Sequence, residues 1–314
     1  MQKVLCAGMI VCDIPLRPIP ASIMTDNLCL IEAPRPCAGG NALNVAITLN
    51  KLGITPLLSG MIGHDSNGDF IMEETHKLGL DERGLRYHPS LGTMVCYILV
   101  EANGARHFCT YNELSKVFSY TDIIPTLIEE ADLVYYGCAL CMEAMDAGGA
   151  AALFKKAHDL GKLTLADTCN ALGEHPSAFF QELLSPMLHE TDIFAPSYDE
   201  AIIISGAQDL SAIRHAFSGY GIKILTVKLG KHGSYITDFH DEWLIPAFTE
   251  FVAKDTTGAG DAFTAGFIRG LLAGWNPPNA ARFANAVAGF KITQVGPTGG
   301  VPDFETLYRY VSER

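Results

Sequence analysis

The chain has 314 residues, 48% hydrophobic and 18% charged, with 22 Lys and Arg against 35 Asp and Glu and a net charge of −13. That composition supplies a large core and suits one big α/β domain, with or without an appendage. The acidic balance argues against a nucleic acid or an anionic membrane as partner, so any phosphate ligand must be held by local donors.

The first apolar run, Val4–Cys12, reads as a buried strand, too short for a membrane span and followed by Asp13 and two prolines. The next stretch, DIPLRPIPASIMTDNLCLIEAPRPC, is punctuated by prolines, and its short β-like runs sit poorly in a doubly wound core. AGGNALNVAITLNKLG (Ala38–Gly53) reads as a glycine loop opening a helix that stops at Gly53. PLLSGMI and DSNGDFIMEETHKLG then repeat strand and helix, and residues 93–111 read as a hairpin turning at Asn103-Gly104. From Asp132 the rhythm is regular: strand DLVYYGC, a helix over 143–160, strand KLTLAD, a helix near 177–188, strand DIFAP and helices to 218. Strands IKILTVKLG and GSYITD follow, and helices fill 260–294. Such alternation predicts a largely parallel sheet covered on both faces. The β-rich pieces near 14–37 and 93–111 are expected to form one small sheet projecting as a lid.

The nine cysteines lack the even spacing of a disulfide framework, which points to a reduced, cytoplasmic protein. Cys138 and Cys141 form the one tight pair. With no second pair in the sequence, they read as two small residues at a strand end rather than a zinc or redox site.

Chemistry concentrates in DTTGAGDAF, Asp255–Phe263. A helix N-terminus leaves its first N–H groups unpaired and carries partial positive charge, and Gly258, Ala259 and Gly260 would expose those donors to a phosphate. Asp261 beside a bound anion needs a task, and accepting a proton from an attacking alcohol is one that fits. The helix dipole should keep this carboxylate ionised, so its pKa is not expected to be raised. The alternative is a glycine-rich helix start with Asp261 as a first-turn stabiliser. Competing phosphate motifs are missing: there is no GxxxxGK[ST], Phe263 stands where GxGxxG needs its third glycine, and neither HRD nor DFG occurs.

DTTGAGDAF resembles the signature of the ribokinase-like (PfkB) carbohydrate kinases, and GGNALNVA resembles that family's N-terminal glycine motif. The resemblance covers nearly the whole chain, 1–314 as a single kinase domain with lid segments 14–37 and 93–111 inserted. It implies a three-layer α/β sandwich, ATP and Mg2+ as cofactors, a sugar as acceptor, and a homodimer joined through the lid. Asp261 would be the catalytic base and the Gly258–Gly260 amides the anion hole. Asp13, Gly39, Gly40, Asn41 and Asn44, together with Asp261, would line the sugar site. KLGKHGS, with Lys228, Gly230 and Gly233, resembles the strand–turn–strand beside the ATP phosphates and ribose, and Asn285 matches a position flanking the adenine. The resemblance also allows K+ near Asp255 and the loop Gly296–Gly300.

One departure stands out. The family commonly carries Asn-x-x-Glu where this chain has PSYDEA, so Ser197 replaces the Asn while Glu200, which would order Mg2+ through water, is retained. Asp167 and Asn170 lie at a strand end where such sheets place ligand residues. Arg106 reads slightly better as a solvated strand charge than as a lid residue reaching substrate. The expected activity is phosphorylation of a primary hydroxyl on a sugar. The alternatives are a nucleoside kinase of the same family or a noncatalytic nucleotide- or sugar-binding regulator.

Overall fold

The computed structural model describes residues 2–102, 104–169, 173 and 175–314. Its main sheet contains β1 (Lys3–Gly8), β4 (Thr55–Gly63), β5 (Asp81–His88), β8 (Leu133–Ala139), β9 (Leu163–Thr168), β10 (Ile193–Phe194), β11 (Ile224–Lys228), β12 (Ser234–Thr237) and β13 (Glu242–Ile245). Their order is β13-β12-β11-β10-β9-β8-β1-β4-β5. Only β11–β12 and β12–β13 pair antiparallel; the rest are parallel. Helices cover both faces, as the alternation predicts. Along β1, Leu5 and Ala7 join one apolar cluster while Val4 and Cys6 join the other. All seven residues of β8 are buried, as a central parallel strand requires.

A second sheet, ordered β3-β2-β6-β7, contains β2 (Val11–Ile19), β3 (Cys37–Gly39), β6 (Val95–Glu101) and β7 (Arg106–Tyr111). The two β-rich pieces do meet here, through the parallel pairing of β2 with β6. The run Val4–Cys12 is therefore two strands in two sheets and not one. Gly8 makes the break at φ +140, with its backbone so close to Gly137 that a Cβ would come 2.4 Å from the Gly137 carbonyl oxygen. Between Ile19 and Cys37 the proline-rich stretch forms turns and irregular chain rather than further strands.

Two other readings change. The helix over 143–160 is interrupted: a wide turn at Met145–Gly149, with Gly148 at φ 121, precedes the regular helix Ala150–Asp159. The edge strands β5 and β13 and the helix Phe304–Ser312 were not expected, because their burial patterns are mostly mixed or exposed. No described helix is long and apolar enough to cross a membrane.

Candidate active site

The helix Ala259–Leu272 starts at Gly258, whose φ of 74 is left-handed and whose backbone lies against Pro297: a Cβ would come 2.1 Å from the Pro297 carbonyl oxygen. That contact seats the start of the helix on the loop 295–300. The Ala259 amide donates to the Thr256 carbonyl at 3.1 Å. Of the three amides expected to face a phosphate, that of Ala259 is thus taken, while no described acceptor takes those of Gly258 and Gly260. The Lys228 ammonium lies close by, 3.5 Å from where a Cβ at Gly260 would sit.

Asp261, in the first turn, is buried. Asn41 Nδ2 donates to its Oδ1 at 3.0 Å and Asn44 Nδ2 to its Oδ2 at 2.8 Å. Both donors come from the helix Asn41–Lys51, which opens at Gly40 with φ 90, where a Cβ would come 2.3 Å from the Met9 carbonyl oxygen. Burial pushes Asp261 up to about 7 even though the Asn44 amide pulls it down. The helix terminus does not keep its pKa low, because loss of water outweighs the dipole. Asn41 and Asn44 thus grip the carboxylate. Asn44 Oδ1 is buried without a partner among the described residues.

Asp13 lies on β2, opposite Cys37 of β3. Burial pushes it up to about 7, and no described donor hydrogen-bonds to it. Gly39 makes room for it, since a Cβ there would come 2.2 Å from Asp13 Oδ2. Arg17 faces Glu32 instead, at 3.5 Å. Asp13, Arg17, Ile98, Arg106, Asp255 and Thr257 are among the walls of a cavity of about 350 Å3 between the small sheet and the core loops. Arg106 is not a solvated charge: its guanidinium bonds Asp255 Oδ1 at 3.1 Å, Thr256 Oγ1 at 2.7 Å and the Thr257 hydroxyl.

A second cavity, of about 530 Å3, is lined by Lys228, Gly230, Gly233, Gly260 and Asn285 with the rings of Phe248 and Phe251. Ala253 and Thr256 wall both cavities. Asn285 Nδ2 donates to the carbonyls of Ile245 and Pro246 at 3.0 and 3.2 Å, so it holds the end of β13 while facing the cavity. Lys228 Nζ donates to both oxygens of Asp167, at 2.6 and 2.8 Å, and Thr264 Oγ1 to Asp167 Oδ2 at 2.8 Å. Burial opposes the Lys228 charge, yet Asp167 and Glu200 hold its pKa above the ordinary value.

Ser197 caps the helix Tyr198–Ser205 in a reciprocal box with Glu200: Ser197 N and Oγ donate to Glu200 Oε2 at 2.8 and 2.7 Å. Thr168 Oγ1 donates to the same oxygen at 2.8 Å. Asn170 lies outside the described residues. Beside Asp255, where the resemblance allows K+, a cation is already present. Lys291 is wholly buried, and its ammonium donates to the Asp255 carbonyl at 2.8 Å and more weakly to Gln294 O at 3.4 Å. Sequence reading missed Lys291, whose signal is a lone charge in the apolar helix segment FANAVAGFKI.

A family profile described as pfkB family carbohydrate kinase matches residues 1–303. An ATP-dependent ribose-1-phosphate kinase of Halopiger xanaduensis is 27% identical over 314 residues, covering 100% of this chain and 99% of the relative. A nucleoside kinase of Methanothermobacter thermautotrophicus is 25% identical over 284 residues, covering 90% and 87%. A candidate ribokinase II of E. coli, solved with ATP and Mg2+, superposes with a TM-score of 0.85 at 20% identity over 100% of both chains.

Proposed function

This chain belongs to the pfkB family of carbohydrate kinases, and on that premise we propose that it is an ATP-dependent sugar kinase phosphorylating a primary hydroxyl. The observation that carries the reading is Asp261: a buried carboxylate with a pKa of about 7, gripped by two amides, one residue beyond the free amide of Gly260. That pKa lets it take a proton near neutral pH.

The acceptor occupies the cavity under the small sheet, with Asp13 in its wall accepting hydrogen bonds from its hydroxyls. Arg106 holds β7 against Thr256 and Thr257 and so keeps water out. The larger cavity fits a nucleotide, since its aromatic wall leads to the free Gly260 amide and the Lys228 ammonium. ATP, when bound there, supplies the phosphoryl group. Gly258 and Gly260 N–H groups and Lys228 Nζ stabilise the negative charge that spreads over the transferring group. Asp261 receives the hydroxyl proton as the oxygen commits to phosphorus. Glu200 keeps one carboxylate oxygen in the helix cap, and its other oxygen would hold Mg2+ through water; Ser197 serves the cap.

We assign the whole chain to one cytoplasmic kinase domain with a lid, and Lys291 in the place of K+. A nucleoside is the second reading for the acceptor, supported by the nucleoside kinase among the relatives. The test is ADP formation from ATP and Mg2+ against a panel of ketoses, aldoses, sugar acids, phosphosugars and nucleosides. Stimulation by one sugar class supports the proposal; stimulation by nucleosides alone selects the second reading, and stimulation by nothing overturns both.

A further inference from the structure

Cys138 and Cys141 close β8, and folding brings Cys169, at the end of the neighbouring β9, beside them. The three sulfur atoms all lie within 4.8 Å of one another. The sequence pair lacks a partner only because the third sulfur comes from the next strand. The loop that presents them is sharply bent: Cys138 and Leu140, neither of them glycine, have φ of 80 and 75, and the β8–β9 register slips between Tyr136 and Ala139. Cys138 is wholly buried, while Cys169 is partly exposed and gives the cluster an edge to solvent.

We propose that Cys138, Cys141 and Cys169 form a site for a thiophilic divalent cation of the zinc group, and that filling it slows the enzyme. Three sulfurs at about 2.3 Å from such an ion stand roughly 3.8 Å apart in tetrahedral geometry, leaving the fourth position for water. The present spacing therefore needs a contraction of no more than about 1 Å. Binding releases the thiol protons to solvent, so the affinity rises with pH.

The link to turnover runs through one hydrogen bond. Cys138 Sγ donates to Asn41 Oδ1 at 2.7 Å, and Asn41 Nδ2 donates to Asp261 Oδ1 at 3.0 Å. Once Cys138 is a metal-bound thiolate it has no proton to donate, and Asn41 loses the contact that orients its amide toward Asp261. Turnover should drop by roughly tenfold, about the worth of one such bond. This second half rests on the reading of Asp261 as the base; metal binding does not.

The experiment is a cadmium titration of the full chain, kept reduced with a phosphine and followed by the thiolate-to-cadmium charge-transfer absorbance. A band saturating at one cadmium per chain is expected, lost in Cys141→Ser and in Cys169→Ser and kept in Cys109→Ser, on the exposed edge strand of the small sheet. Cys141 Sγ donates to the Cys169 carbonyl at 2.7 Å, a bond that serine can still make, so Cys141→Ser should fold and keep its basal turnover. Absence of the band in wild type, or its survival in both cluster variants, overturns the site. A full band with unchanged wild-type turnover, or equal inhibition of Cys141→Ser, overturns the coupling. A protein with no kinase activity still reports on the site through the band, which separates failure of this proposal from failure of the kinase reading.

Discussion

At Asp261 burial and hydrogen bonding pull in opposite directions, and burial wins, raising the pKa from 3.8 to about 7. A carboxylate whose folded pKa is raised contributes stability that is fully present below its unfolded pKa of 3.8 and lost as pH rises through about 7. Asp13 and Asp146 are raised to about 7 in the same way, so the unliganded protein should lose stability between about pH 4 and pH 7. Asp261→Asn removes one of these titrations. Its melting temperature relative to wild type should be higher at pH 8 than at pH 5, by calorimetry; an equal offset at both pH values would mean that Asp261 is not perturbed. Lys291 leads to a second expectation. With its ammonium on the Asp255 carbonyl, turnover should be the same in K+ and in tetramethylammonium buffers, whereas Lys291→Met should slow and, if it folds, regain rate with added K+. Strong K+ activation of the wild type would contradict this reading.

Among the elements, the small sheet is fastened to the core by Arg106, which bonds three consecutive residues, Asp255 to Thr257, ahead of the Gly258 turn. This ion pair is mostly buried, at 28% and 17% side-chain exposure, so it should count for more than a surface bridge. Arg106→Ala is expected to raise the acceptor KM about tenfold, the worth of a charge-assisted bond or two, and to increase ATP hydrolysis without acceptor. An unchanged KM would return Arg106 to the role of a surface charge. The elements most legible in the sequence were those with one dominant signal: the apolar run of β8, the glycine start at Gly258 and the hairpin of β6 and β7. Less legible was anything fixed by a distant neighbour. The break after Gly8 depends on the Gly137 backbone, the grip of Asn41 and Asn44 on Asp261 joins residues more than 200 positions apart, and Cys169 meets Cys138 only across two parallel strands.

Over the whole molecule, two cavities meet at Ala253 and Thr256 beside the helix that carries Asp261, which is the layout a transfer between two ligands requires. The lid region also leaves Leu28, Leu30 and Phe108 at 78%, 83% and 60% exposure, apolar surface that a second copy of the chain would cover. Sedimentation equilibrium should therefore give a dimer that Phe108→Glu weakens, and a monomer at all concentrations would remove the lid from any role in assembly. Because the overall layout would serve any phosphoryl acceptor, the proposed kinase function rests on the base. The direct measurement is the rate of phosphorylated product from the best acceptor in the panel, wild type against Asp261→Asn, with ATP affinity checked separately. A fall of roughly 10²–10⁴-fold with ATP affinity unchanged is expected; turnover within a few fold of wild type would mean that Asp261 is not the base.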